Sequence, residues 1–221
     1  MAYNSYGNSF QRTTPIVKNL IIINVLVFIA QAIFDKGIES VLTSKIALHH
    51  YSSDFFEPYQ LVTSMFAHGG LAHIAFNMFT LFTFGVLLEK VWGSKRFLIF
   101  YLVCGLVSNI TEMFFLRDIV VFDPNYGENV LMIGSSLGAS GAIMGLFAAF
   151  AYLFPNTELM MLFIPVPIKA KYMVVVMVAI DLFGQFGPVK TGIAHYAHLS
   201  GMLAGFLLVL FWNRGNKKTF Y

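Results

Sequence analysis

The chain has 221 residues, of which 57% are hydrophobic and 11% charged, and its mean hydropathy is +0.72. A soluble domain carries about 25% charged residues, so the composition excludes a soluble monomer and points to a membrane protein. The formal charge of +3 is small and scattered over loops, which excludes a nucleic-acid-binding face, and the single cysteine, Cys104, excludes an intrachain disulfide and a cysteine-based zinc knuckle.

A membrane span needs about 20 mostly apolar residues. The pattern predicts six, over residues 16–34, 71–88, 97–116, 136–154, 168–186 and 194–212, and so an all-α polytopic membrane protein. Residues 1–15 and 213–221 form short tails around one domain at 16–212. Arg12 precedes the first span, Lys18 lies near its start and Ala30-Gln31-Ala32 falls within it, the marks of a cleaved secretory leader. Its length favours a retained span instead. Residues 35–70 are too many for a plain connector. They mix aromatic and polar residues, as in His49-His50-Tyr51 and Phe55-Phe56-Glu57-Pro58-Tyr59-Gln60. That composition suits a segment lying in the membrane interface, with an ordinary surface loop as the alternative.

The second span carries His73 and Asn77, four residues apart and so on one helix face. With His68 they read His-x4-His-x3-Asn. Asn and neutral His can donate to a developing oxyanion. Histidines at i and i+4 can also hold zinc, but here the i+4 partner is Asn and no HExxH occurs, so neither metal nor cofactor is expected. After this span, Glu89 is expected to pair with Arg96 across a short turn.

The fourth span carries Ser140 within Gly138-Ala139-Ser140-Gly141, about one turn from its start. Gly134, Gly138, Gly141 and Gly145 leave one side of it nearly bare. The fifth is interrupted by Lys169, Lys171 and Asp181; its lysines can snorkel to one end. Asp181 could orient a histidine, but it reads as a residue facing water near the outer end. The sixth carries His198 within Ala197-His198-Leu199-Ser200-Gly201, followed by Gly205. Small residues at i and i+4 let two helices approach closely, which would bring Ser140 to His198. Serine needs a base to take its proton, and histidine, with an ordinary pKa of about 6.5, can take and return it. His195, nearer the mouth of the span, is the lesser candidate for the base and reads as a neighbour of His198 or as solvated.

Six spans put both termini on one side. That side holds Arg12, Lys18, Lys90, Lys95, Arg96, Lys169, Lys171, Arg214, Lys217 and Lys218; the other holds Lys36, Lys45, Arg117 and Lys190. The excess assigns both termini to the cytoplasm. The expected location is the inner membrane of a bacterium. His73, Asn77, Ser140 and His198 then lie on the order of 5–10 Å below the outer end of their spans. Polar groups at that depth are costly unless they face one another or water, so three spans placing them together predicts a shared cavity.

In this order, the motifs resemble the rhomboid family of intramembrane serine proteases. The likeness runs over residues 58–205: Gly-x-Ser-Gly at 138–141, Ala-His-x-x-Gly-x-x-x-Gly at 197–205, His-x4-His-x3-Asn at 68–77, and Leu-Glu-x-x-Trp-Gly-Ser at 88–94. The resemblance implies a Ser-His dyad without an acidic third member, Ser140 as nucleophile and His198 as base. It implies an oxyanion site of Asn77, His73 and the Ser140 N–H. It also implies partners that are transmembrane protein substrates in the lipid bilayer, cut near the outer end of a span, with no nucleic acid. Three positions depart from the family's pattern. Met144 stands where an aromatic often stacks on the histidine, Tyr59-Gln60 where a Trp-Arg pair is common, and Glu89-Lys90-Val91 where many relatives have Glu-x-Arg. The alternative is a non-catalytic six-span protein, a binder of client helices or a transporter. A transporter should show a broken helix or an internal repeat, and neither is evident in the sequence.

Overall fold

The computed structural model describes residues 13–35, 40–116, 119–123, 128–132, 134–161, 164–187 and 193–213. Arg12, Lys36, Arg117, Lys190, Arg214, Lys217 and Lys218, and with them most of both expected tails, lie outside the described residues.

Helix α1 spans Pro15–Phe34 and opens on a proline, whose fixed φ suits a first helical position. Its buried residues, Val17, Leu20, Asn24 and Gln31, fall on one stripe, while Ile22, Leu26, Ile29 and Ile33 are exposed. A helix whose outer face is apolar belongs against lipid. Ala30-Gln31-Ala32, which resembles a leader cleavage site, lies inside this helix, and Gln31 is hydrogen-bonded to Thr43 and His68. Next come α2 (Val41–Ile46), the two-residue strand β1 (Leu48–His49) and α3 (Gln60–Thr63), which tightens into a 3₁₀ turn at Ser64–Phe66. Gln60 stitches this segment from inside: its Nε2 donates to the Lys45 and Phe55 carbonyls, and its Oε1 accepts from His49 N–H. Tyr51, Phe55 and Tyr59 stay exposed beside it.

Helix α4 (Leu71–Thr80) runs through a π turn at Leu81–Gly85 into α5 (Val86–Trp92), a continuous rod of 22 residues. Gly93, at φ 81°, makes the left-handed turn that starts α6 (Ser94–Phe115). Strands β2 (Ile119–Asp123) and β3 (Glu128–Met132) pair antiparallel, and β4 (Ser135–Ser136) pairs with β1. Helix α7 follows at Ser140–Leu153, then the hairpin of β5 (Glu158–Met161) and β6 (Ile164–Lys169), α8 (Ala170–Phe186) and α9 (His195–Asn213).

The protein is mostly helical, as expected, but the helices over two of the six expected spans are shorter than the sequence suggests. Among the described residues, four helices are long and apolar enough to cross a membrane: Pro15–Phe34, Leu71–Trp92, Ser94–Phe115 and His195–Asn213. Helix α7 has 14 residues, because Ser135 and Ser136 are taken into a strand. At 1.5 Å per residue it is about 21 Å long, against a hydrocarbon core of about 30 Å. Helix α8 has 17 residues, because the chain before it pairs as a hairpin up to Lys169.

Helix α7 is the axis of the fold. Eleven of its 14 residues are buried, as a helix apolar all round requires. It packs on α9 backbone to backbone: a methyl group at Gly205 would lie 2.4 Å from the Gly145 carbonyl oxygen. Helix α6 closes the triangle, with Phe97, Phe100, Tyr101 and Cys104 in the same core as Leu146 and Phe150. Gly134 and Gly138 lie outside α7, so the bare helix face is shorter than expected and consists of Gly141 and Gly145.

Candidate active site

Ser140 is the first residue of α7, not one turn inside it. The first N–H groups of a helix have no partner within it, so the Ser140 N–H points into the space before the helix. His198 is the fourth residue of α9. The close approach of α7 and α9 sets the Ser140 Oγ 2.9 Å from the His198 Nε2, and both residues are half-buried. This is hydrogen-bond geometry for proton transfer between a hydroxyl and an imidazole.

Helix α6 fixes the backbone beside His198. The Ser108 Oγ donates to the Ala197 carbonyl at 2.9 Å, and the Glu112 Oε2 accepts from the Ala197 N–H at 3.0 Å. The second bond places a carboxylate on the first turn of α9, where the helix dipole favours it.

His73 and Asn77 project from α4 toward Gly138. A methyl group at Gly138 would lie 2.8 Å from the His73 ring and 3.7 Å from the Asn77 Nδ2. Gly138 has φ 129°, a conformation side chains rarely adopt, and its N–H donates to the Ser64 carbonyl at 2.8 Å. The glycine therefore serves twice: it makes the turn into α7, and it leaves room for the two donors. The His73 Nδ1 accepts a long bond from Gly69 N–H at 3.4 Å, which leaves its proton on Nε2, facing Gly138.

Asn77 is buried and its Nδ2 donates to the His68 Nε2 at 3.0 Å. One amide hydrogen is thereby fixed and the other is left for a ligand. His68 is held in turn by α1: the Gln31 Oε1 accepts from its N–H at 2.9 Å and the Gln31 Nε2 donates to its carbonyl at 3.2 Å. Burial, with a smaller contribution from neighbouring His73, lowers the His68 pKa to about 4, so it is neutral and can accept from Asn77.

The family model that matches is the rhomboid domain, over residues 56–214. The chain belongs to the rhomboid family. Its relatives include rhomboid protease GluP of Bacillus subtilis, 31% identical over 150 residues, or 68% of this chain and 25% of the relative. Another is the mitochondrial rhomboid protein 1 of Saccharomyces cerevisiae, 29% identical over 148 residues, or 66% of this chain and 40% of the relative. A third, the putative rhomboid protease YdcA of Bacillus subtilis, is 32% identical over 154 residues, 69% of this chain and 66% of the relative. This rhomboid therefore spans between a quarter and about two thirds of the length of these relatives. The apolar helices make it a membrane protein, and relatives from a bacterium and from mitochondria do not support the narrower expectation of a bacterial inner membrane.

Several residues of this rhomboid sit differently from the sequence reading. Asp181 does not face water. It is 3% exposed, and its Oδ1 accepts from the His195 Nδ1 at 2.7 Å and from the His198 Nδ1 at 3.1 Å. His195 is not solvated: it is buried, with its ring laid on Gly184, where a methyl group would lie 2.3 Å from it. Asp181, His195 and His198 thus form a cluster whose ligand-type atoms lie within 4.8 Å of one another. It is the set able to hold a metal among the described residues. Glu89 does not pair with Arg96. It is buried and accepts from the N–H groups of Ile16 and Val17, at 3.1 and 2.8 Å, and from the Ser94 Oγ at 2.7 Å.

Proposed function

We infer that this rhomboid is an intramembrane serine endopeptidase that cuts transmembrane protein substrates near the outer end of a span. The observation that supports it is the 2.9 Å contact of Ser140 Oγ with His198 Nε2, beside two donors aimed at the turn that precedes the serine. His198 Nε2 takes the proton as Ser140 Oγ attacks the scissile carbonyl carbon. The oxygen that becomes negative lies before the start of α7, where the Ser140 N–H, the Asn77 amide and the His73 Nε2–H donate to it. His198 then gives its proton to the leaving amine. Water attacks the resulting ester by the same route in reverse, and Ser140 is restored.

A peptide bond inside an intact helix is shielded by its own hydrogen bonds, so the substrate must unwind locally to reach Ser140. Substrates with Gly or Pro near the outer end of their span are therefore preferred, since these cost about 1 and 3 kcal/mol in a helix. No metal or cofactor enters this scheme. The catalytic unit is residues 16–212, seated in the lipid bilayer with the tails at 1–15 and 213–221 both in the cytoplasm, as the basic residues favour.

A serine-directed fluorophosphonate tests the reading. It should label the wild type and not Ser140→Ala, and cleavage of a model transmembrane substrate should be lost in Ser140→Ala and in His198→Ala. Their effects should not add, because nucleophile and base act as one unit. Cleavage that persists in Ser140→Ala sinks the proposal. Binding of substrate without cleavage by the wild type would favour a binder of client helices.

A further inference from the structure

We propose that Asp181 is the third member of the catalytic array, a positioning carboxylate that fixes the ring and tautomer of His198. The proposal rests on the Ser140 and His198 assignment above and goes beyond the dyad that the family resemblance implies.

The geometry is that of a relay of three groups on three helices. Asp181 on α8 takes the Nδ1–H of His198 on α9 at 3.1 Å, and the opposite ring nitrogen meets the Ser140 Oγ of α7 at 2.9 Å. A carboxylate oxygen only accepts, so it places the proton on Nδ1 and leaves the Nε2 lone pair facing the serine. That is the tautomer a general base needs. When His198 takes the serine proton, the positive ring lies against a negative group whose side chain is only 4% exposed, where such a pair is strong. The proton stays on the histidine, and Asp181 changes only the stability of the charged ring.

Two further observations fit a built device. The His195 Nδ1–H donates to the same Oδ1 at 2.7 Å, and its ring rests on Gly184, one turn along α8 from Asp181. Asp181-x-x-Gly184 and His195-x-x-His198 therefore lock two helices together and hold the carboxylate in place. The other titratable groups that act on His198 are Glu112 from α6 and His73 from α4. Glu112 is engaged by the Ala197 N–H, and His73 faces the opposite side, toward Gly138.

The test uses the full chain in proteoliposomes with a transmembrane substrate. Asp181→Asn keeps the shape and removes the charge. It should lower kcat on the order of 10³-fold while KM changes by less than about threefold, with fluorophosphonate labelling slowed and thermal stability close to wild type. A merely structural residue would instead lower stability and leave kcat of the folded fraction intact. A loss of kcat under tenfold in folded Asp181→Asn overturns the proposal. Should that variant not fold, ¹⁵N-histidine spectra of the wild type decide: His198 protonated on Nδ1 supports the role, and His198 protonated on Nε2 overturns it. The two readings fail separately. An active Ser140→Ala removes the protease assignment itself, whereas a dead Ser140→Ala beside an active Asp181→Asn removes only the role of Asp181.

Discussion

Gly201 lies so close to Gly141 that a methyl group added to it would sit 2.1 Å from the Gly141 carbonyl oxygen. The obstacle is backbone, which cannot rotate aside, so Gly201→Ala must push α9 away from α7 and His198 away from Ser140. Overpacking of this kind costs about 1–3 kcal/mol or more. The variant should melt at lower temperature and lose fluorophosphonate labelling. Gly70→Ala, with nothing within 4 Å of the new methyl, should do neither. An unaltered Gly201→Ala would mean that the two helices do not meet as described.

Asn77→Ala should lower turnover on the order of 10²-fold, as the loss of one oxyanion donor does in other enzymes. KM should change far less, because the donor acts on charge that develops in the transition state. Gln31→Ala should produce a milder form of the same defect. It acts through His68, whose two backbone groups Gln31 holds. Steady-state kinetics on a transmembrane substrate separates these effects. Weakened binding with normal turnover in Asn77→Ala would move that residue from catalysis to substrate positioning.

His68 makes stability depend on pH. Burial lowers its pKa from 6.5 to about 4, so between these values the unfolded chain binds a proton that the folded chain refuses. Stability from this residue is full above about pH 6.5, falls as the pH drops toward 4, and falls no further below that. Protonation would also turn the acceptor of Asn77 into a second donor. Melting temperature measured from pH 7 to pH 4.5 should decline, and the decline should be shallower in His68→Gln. Parallel curves for the two proteins would count against it.

Glu89 binds the first turn of α1, whose N–H groups lack partners within the helix. Bonds to a charged acceptor contribute about 1.5–3 kcal/mol each. Glu89→Gln and Ser94→Ala should therefore each destabilise the folded protein by about 2 kcal/mol, read from unfolding in detergent. Chemistry in the fraction that stays folded should be unaffected, since Glu89 lies at the far end of the rod that carries His73.

The sequence made some of this legible and hid the rest for physical reasons. Ser140 and His198 could be paired from a distance because glycines one turn apart on both helices, Gly141 with Gly145 and Gly201 with Gly205, announce a close contact. Asp181 could not be placed. One acid in an apolar segment reads the same whether it ends the span or enters the core, and the chain between Phe186 and His195 gives no direction to α8. The signal was present in two spacings, Asp181 with Gly184 and His195 with His198, each one turn apart, and in the cost of an acid left without a partner in a span. Residues 136–154 read as one span although the helix starts at Ser140, because apolarity does not stop where helix stops: Ser136 pairs with β1 through the backbone, which hydropathy cannot register. The Glu89 contact escaped because its partners are backbone N–H groups 72 and 73 residues away.

The shortness of α7 makes it a gauge of depth. Measured from its end at Leu153, the helix rises about 21 Å, some 9 Å less than the hydrocarbon thickness of an ordinary bilayer. In the proposed orientation, with Leu153 at the cytoplasmic face, Ser140 is set at a height counted from that face, whatever the thickness above it. In a thicker bilayer the serine would sit deeper below the outer headgroups, and in a thinner one it would approach them. Under the proposed protease activity, the bond that is cut should shift along the substrate accordingly, and lipid chain length, with no change to the protein, would select where a substrate is severed.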